Sequence, residues 1–404
     1  MKKLVVVALL FFLATFFVIE KKQAPTKTVG LLDTPRTNVT EEKRAVFISY
    51  LEYGTYLKGR SNEVQQANLI KMLDHLKNSG FNMILLQVRS FSDAIYPSSI
   101  FPWSSTISDK EGENPGFDVL SFVLKEAHKR KIEVHAWVNP YRVRNTTDSS
   151  VLSKTNPAYQ WLNTSNVKVI DDVGIFYNPA SKEVQDLVVS GIQEILDHYD
   201  VDGIHFDDYF YPSKDIDLIS YLEYQKQGGT LTLEEYRLDQ VNTLVKRVYE
   251  IVKKKDKKLL FGISPEGNID NNYELNYADT KKWASTEGYV DYLMPQIYFG
   301  FENERRPFLK TVAMWNDLIT AKNVKLMPAL AFYKVGVEDK NALSGSKEWL
   351  DNSDIIKKQV VASRVLSNYQ GFSLFRYDYM FGENAKNPIA KSEFDHLVSL
   401  FDEK

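Results

Sequence analysis

The segment Val201-Asp-Gly-Ile-His-Phe-Asp-Asp-Tyr-Phe-Tyr-Pro212 closes an apolar run with two adjacent carboxylates, Asp207 and Asp208. The next apolar run ends in Ile263-Ser-Pro-Glu266. Strand side chains alternate between faces. Gly203, His205 and Asp207 therefore share a face opposite Ile204 and Phe206, and Gly262, Ser264 and Glu266 share one opposite Phe261 and Ile263. Asp207 and Glu266 then point at the same mouth, and Asp208 joins them where its strand has ended. Carboxyl groups from neighbouring strand ends suit hydrolysis of a glycosidic bond. One protonates the leaving oxygen, while the other attacks the anomeric carbon, activates water or steadies a developing cation. Their environments must differ so that one keeps its proton. Asp207, Glu266 and Asp208 are thus the candidate catalytic residues. The alternatives are a structural hydrogen-bonding pair, or a metal site through His205 and Asp207, for which a His-x-Asp spacing alone is weak.

Other runs end in polar residues that a packed core would not place there without a reason. The run 132–139 turns His135, Trp137 and Asn139 inward, and 290–298 turns Met294, Gln296 and Tyr298 inward. The run 82–89 offers Gln87 and Arg89, the first run offers Tyr50 or Glu52, and the last leads into Arg376-Tyr377-Asp378-Tyr379. Asn139, Gln296 and Tyr298 suit sugar hydroxyls or an N-acetyl group. Trp137 and Tyr209 suit stacking on a sugar face. Arg89, Tyr141, His205 and Asp378 complete the candidate substrate-binding set, with a satisfied core histidine as the alternative for His205. No Gly-rich phosphate loop, His-Glu-x-x-His or Gly-x-Ser-x-Gly motif occurs. No cofactor and no metal is assigned.

These residues need a scaffold that brings many strand ends to one place. From Arg44 onward, eight short apolar runs (45–51, 82–89, 132–139, 201–207, 259–264, 290–298, 325–333 and 371–377) alternate with amphipathic stretches (64–78, 117–129, 183–198, 233–252, 277–286, 308–321, 354–367 and 391–401). Eight such alternations predict an α/β fold, a single (β/α)8 TIM barrel over 44–404. Long connections at 90–116, 141–182, 210–232 and 336–352 follow strand C-terminal ends, where barrel enzymes build their sites.

The 404 residues include no cysteine, which excludes disulfides, thiolate metal sites and Cys nucleophiles. Fifty Lys and Arg against 53 Asp and Glu give a net charge of −3, which provides no global field for nucleic acid. Aromatic residues reach 13%, an excess suited to sugar stacking or to core filling. At the N-terminus, Lys2 and Lys3 precede an apolar stretch over 4–19, the pattern of an export signal or a short membrane anchor over 1–20. A polar linker over 21–43 follows. Either reading exports the remainder to the cell envelope or beyond, held to the membrane if the segment is uncleaved.

Arg44-Ala-Val-Phe-Ile-Ser, His135-Ala-Trp-Val-Asn-Pro-Tyr-Arg142, the 201–212 segment, Ile263-Ser-Pro and Met294-Pro-Gln-Ile-Tyr298 together resemble the glycosyl-hydrolase-like family 10 proteins. The resemblance implies an exported (β/α)8 barrel; some family members cleave peptidoglycan glycan strands stripped of their peptides. The 202–209 segment also resembles the Asp-Gly-x-Asp-x-Asp-x-Glu strand of family 18 chitinases, with His205 in place of one Asp and Tyr209 in place of the catalytic Glu. The layout of an Asp on the fourth strand and a Glu on the fifth is similar to family 13. That likeness implies Asp207 as nucleophile and Glu266 as acid/base, with substrate assistance by an N-acetyl group as the alternative. The expectation is a glycoside hydrolase acting on N-acetylated cell-wall polysaccharide. A non-catalytic glycan-binding or envelope-scaffolding barrel is the competing expectation.

Overall fold

The computed structural model of the chain describes residues 41–207 and 210–402. The expected signal or anchor, most of the expected linker, and the candidates Asp208 and Tyr209 lie outside the described residues.

The first apolar runs form parallel strands β1 (Lys43–Ile48), β2 (Met83–Arg89) and β3 (Glu133–Val138). Within the connection after β3, β4 (Arg142–Arg144), β5 (Val167–Ile170) and β6 (Gly174–Tyr177) build a separate antiparallel sheet in the order β4-β6-β5. The long 141–182 connection thus carries a small sheet of its own. The chain continues through β7 (Gly203–Phe206), β8 (Leu260–Ile263), β9 (Tyr292–Leu293), β10 (Lys325–Leu326), β11 (Ala329–Leu330) and β12 (Gly371–Leu374). Among the described residues the main sheet has nine strands in the order β10-β9-β8-β7-β3-β2-β1-β12-β11, all parallel.

The two outermost strands, β10 and β11, are halves of one stretch broken at Met327-Pro328. Pro328 has no N–H to give to a ladder, although its carbonyl accepts from Ser373 N–H at 3.0 Å. Met327 N–H reaches back to the Leu293 carbonyl at 2.9 Å, and Gln296 bridges to Ala329. The sheet therefore curls. Pro295 shortens β9 in the same way, and the next contact with the β8 side is Gln296 N–H to the Pro265 carbonyl at 2.9 Å. This is why the 290–298 run, expected as one strand, appears as two paired residues followed by an isolated bridge.

Helices follow the strands close to the expected stretches, among them Asn62–Asn78, Val119–Lys129, Lys182–His198, Leu233–Lys255 and Phe308–Leu318. In Lys182–His198 the Ser181 side chain caps Val184 N–H, and Val184, Val188, Ile192 and Ile195 form the buried stripe. Leu233–Lys255 opens with a Thr232–Glu235 capping box and ends in Lys253, Lys254 and Lys255, which suit the negative end of the helix.

Two apolar layers result. Outward-facing Val46, Ile84, Val134, Ile204, Phe261 and Leu293 pack with the helices. Ala45, Phe47, Met83, Leu85, Trp137, Tyr292 and Met294 fill the inside of the curl. The first and last units meet along a polar seam. β1 pairs with β12, and the Glu42 carboxylate accepts from Arg364 Nε and Nη2 (2.8 Å each) and from Tyr369 Oη (2.7 Å). Among the described residues no helix is long and apolar enough to cross a membrane.

Candidate active site

The inside of the curl opens, past the strand ends, into a cleft of about 270 Å³. Asp207, Trp137, Gln296 and Tyr298 line it, all expected from the sequence, together with Gln87 and Ser264. Asp207 follows β7 directly and is 3% exposed.

An amide relay fixes one Asp207 oxygen as an acceptor. Tyr50 N–H donates to Gln87 Oε1 (3.0 Å), Gln87 Nε2 donates to Asn139 Oδ1 (2.6 Å), and Asn139 Nδ2 donates to Asp207 Oδ2. The first donor is a backbone N–H and cannot act as an acceptor, so it sets both amide orientations down the line. Asp207 Oδ2 is consequently an acceptor. The relay crosses the ends of β1, β2, β3 and β7, which are neighbours in the sheet.

A second polar group lies deeper. Tyr292 Oη sits 2.9 Å from both His135 Nδ1 and His205 Nδ1, and His205 Nε2 lies 3.0 Å from Ser264 Oγ in the cleft wall. Burial, with a smaller contribution from Lys43, holds His135 down to about 3; burial, then His135, puts His205 well below its ordinary value. Both rings are therefore neutral at pH 7. A hydroxyl has one proton, so Tyr292 donates to one ring at most and accepts from the other. Glycines make the room. A Cβ on Gly203 would lie 2.6 Å from the His135 ring, and one on Gly262 would lie 2.0 Å from the Tyr292 ring. His205 thus acts through Ser264, while Asn139 acts through Asp207.

Glu266 follows β8, half-buried, and is not itself among the residues that line the cleft, although its neighbours Ser264 and Gln296 are. Asn271 Nδ2 donates to Glu266 Oε1 (2.6 Å), and Asn272 holds its backbone through Oδ1 (3.0 Å) and Nδ2 (2.7 Å). Gln296 Nε2 donates to the Ser264 carbonyl at 3.0 Å.

Three expected positions lie away from the cleft. Arg89 was placed inward by strand parity, and this is corrected. A register shift between Gln87 and Arg89 breaks the alternation, and the guanidinium packs 3.8 Å from the Phe101 ring centroid, against Gly191 of the helix layer. Tyr141 is wholly buried with its ring against Phe210. Asp378 accepts from Tyr56 Oη (2.8 Å) and Asn384 Nδ2 (3.1 Å) beyond β12. Of the two residues offered after β1, Tyr50 lines the cleft. Glu52 turns to the seam and accepts from Arg376 and from Asp378 N–H (3.2 Å).

Sequence reading missed Arg142, Tyr333 and Phe375, which also line the cleft. Arg142 stands at the end of the quoted third-strand motif, and Nε donates to the Ser90 carbonyl at 3.1 Å. Tyr333 ends the seventh apolar run and Phe375 lies near the end of the eighth, positions that could have marked them. Among the described residues no group of three or more His, Asp or Glu is placed to hold a metal ion.

An α/β fold of this kind is shared with glycoside hydrolases. The glycoside hydrolase domain of PgaB (BpsB) from Bordetella bronchiseptica superposes with a TM-score of 0.59 at 14% identity, covering 88% of this chain and 99% of that one. The alpha-L-fucosidase isoenzyme 2 of Paenibacillus thiaminolyticus gives 0.55 at 12%, covering 89% and 49%. At such identities the likeness is one of fold. Residues 42–351 match the family model for Glycosyl hydrolase-like 10, and the chain belongs to that family. It is 34% identical over 347 residues to glycosyl hydrolase DigH of Escherichia coli strain K12, covering 78% of this chain and 76% of that protein. It is 33% identical over 338 residues to glycosyl hydrolase YngK of Bacillus subtilis strain 168, covering 78% and 63%. Family membership supports a glycosidase-type function with a glycan as substrate.

Proposed function

We propose that the protein is an exported hydrolase of bacterial cell-wall glycan, built as an eight-unit barrel in which β10 and β11 count as one strand. The observation that carries this reading is the Asp207 carboxylate, held as an acceptor by the amide relay in a cleft whose walls include Trp137, Tyr298 and Tyr333. Trp137 is 5% exposed, and its Nε1–H has no acceptor among the described residues. A ring with a polar edge in a polar-floored cleft suits a sugar.

In the proposed reaction Asp207 attacks the anomeric carbon or stabilises the cationic transition state. Glu266 gives its proton to the leaving oxygen as the C1–O bond breaks, and water supplies the hydroxyl of the new reducing end. Asp208 orients or tunes the pair. Gln296 and Tyr298 hold substituents of the sugar. With an N-acetylated sugar, the acetamido oxygen is the other possible nucleophile, and Asp207 then orients it. Export rests on residues 1–20, which also tie the protein to the membrane if they are retained.

The test is incubation with peptide-free peptidoglycan strands and measurement of new reducing ends. The wild-type protein should release them, and Asp207→Asn and Glu266→Gln should each lose about 10²–10⁴-fold, the usual worth of such groups. Equal glycan binding by all three proteins without release would replace the hydrolase by the glycan-binding barrel. The anomer formed first, read by NMR, separates retention from inversion.

A further inference from the structure

We infer that the cleft continues past Tyr333 into a second sugar subsite, so that the protein grips several consecutive units of a glycan chain. The inference rests on the reading of the main cleft as a glycan site. Tyr333 lines the main cleft and also an adjoining cavity of about 250 Å³ formed with Tyr379, Val337, Glu383, Asn384 and Asn387. One aromatic side chain is thus common to both spaces.

The rings form a continuous series. Trp137 to Phe47 is 5.2 Å between centroids, Phe47 to Phe375 is 5.6 Å, Phe375 to Tyr298 is 6.0 Å, Tyr298 to Tyr333 is 5.6 Å and Tyr333 to Tyr379 is 6.0 Å. Each step is comparable with the advance from one pyranose ring to the next. The series starts inside the curl at Trp137 and ends at Tyr379 in the second cavity.

The second cavity also has the polar chemistry of a sugar site. The hydroxyls of Tyr333 and Tyr379 and the Asn387 Nδ2 donor make no hydrogen bond within the described protein, although Asn387 Oδ1 is occupied by Ile389 N–H at 2.9 Å. Neutral donors and acceptors beside aromatic rings suit hydroxyl and acetamido groups. The carboxylate of Glu383 is already matched by Lys386 at 2.5 Å. The group this subsite takes is therefore an uncharged sugar unit of the chain, such as N-acetylglucosamine, rather than an anion.

The experiment measures binding of β-1,4-linked N-acetylglucosamine oligomers, from dimer to octamer, to the full-length protein by calorimetry. Affinity of wild type should climb with length and then level off. Tyr379→Ala should weaken the longest oligomer about tenfold, the loss of roughly one ring contact, and change the dimer less than twofold. Val337→Trp fills the same cavity from a half-exposed position without touching the core, and should have the same effect if Tyr379→Ala disturbs folding. Dimer binding with no gain from length, or a gain that both variants retain, would overturn the second subsite and leave the main cleft standing. Absence of binding at every length would overturn the reading of the main cleft, and this inference with it.

Discussion

The relay that ends on Asp207 and the His135–Tyr292–His205 group beneath it are both buried, both span several strands, and both touch the cleft. They differ in where their protons are fixed. The relay begins at a backbone N–H, so each amide has one sense and the last acceptor is determined. The lower group is joined through hydroxyls and neutral imidazoles, each able to donate or accept. A fixed direction suits a carboxylate whose charge is used. An undirected neutral cluster suits filling the inside of a curl at low electrostatic cost. Breaking the two should therefore give opposite balances of activity and stability.

Asn139→Ala removes the last donor of the relay. Activity on glycan should fall by about a hundredfold, since an orienting contact near the chemistry is lost. Stability should drop by about 1–3 kcal/mol, because Gln87 and Asp207 each lose a buried partner. Initial rates and a urea titration of the same protein check both. An unaltered rate would detach the relay from catalysis.

Acid sharpens the comparison from the other side. His135 and His205 are depressed in the folded state, so the unfolded chain takes up protons first as pH falls through about 6.5. The stability they support is complete above that pH and is lost on acidification, toward about 3 for His135. The slope should approach about 1.4 kcal/mol per pH unit for each histidine. Burial raises Glu393 to about 7, so it holds a proton in the folded state over the same range and opposes one histidine. Unfolding free energies of Glu393→Gln between pH 6.5 and 5.5 therefore measure the slope, and a flat profile in that variant would contradict the burial of the two rings. Tyr292→Phe is the gentlest break. It should cost about 1–2 kcal/mol as both imidazoles lose a partner, while the rate on glycan stays within about twofold because Asp207 keeps its relay. Parallel melts and rate measurements decide it.

The same contrast explains what the sequence made legible. Strand parity depends on unbroken alternation, and where that holds, as at His135, Trp137, His205 and Ser264, the expected facing is observed. It fails at Arg89, where one shifted residue turns a side chain from the inside to the helix layer. Pro295 and Pro328 are visible in the sequence, yet their effect depends on which neighbour needs the missing N–H. The β4-β6-β5 sheet was hidden because its strands are three or four residues long. Tyr333 and Phe375 stand near run ends, as the other cleft residues do, but they reach the cleft from the far end of the sheet order, and only closure of the curl brings them near Trp137.

The pairing of β1 with β12 has a consequence for timing. Lys43 aligns with Gly371, and Glu42 bonds Arg364 and Tyr369, so the seam joins residues more than 320 positions apart. Contacts so distant in sequence form late, and they slow closure of the sheet. A growing chain therefore cannot complete the curl until nearly all of it has been made. Under the export proposed above, late closure would keep the chain threadable until its last strand has followed.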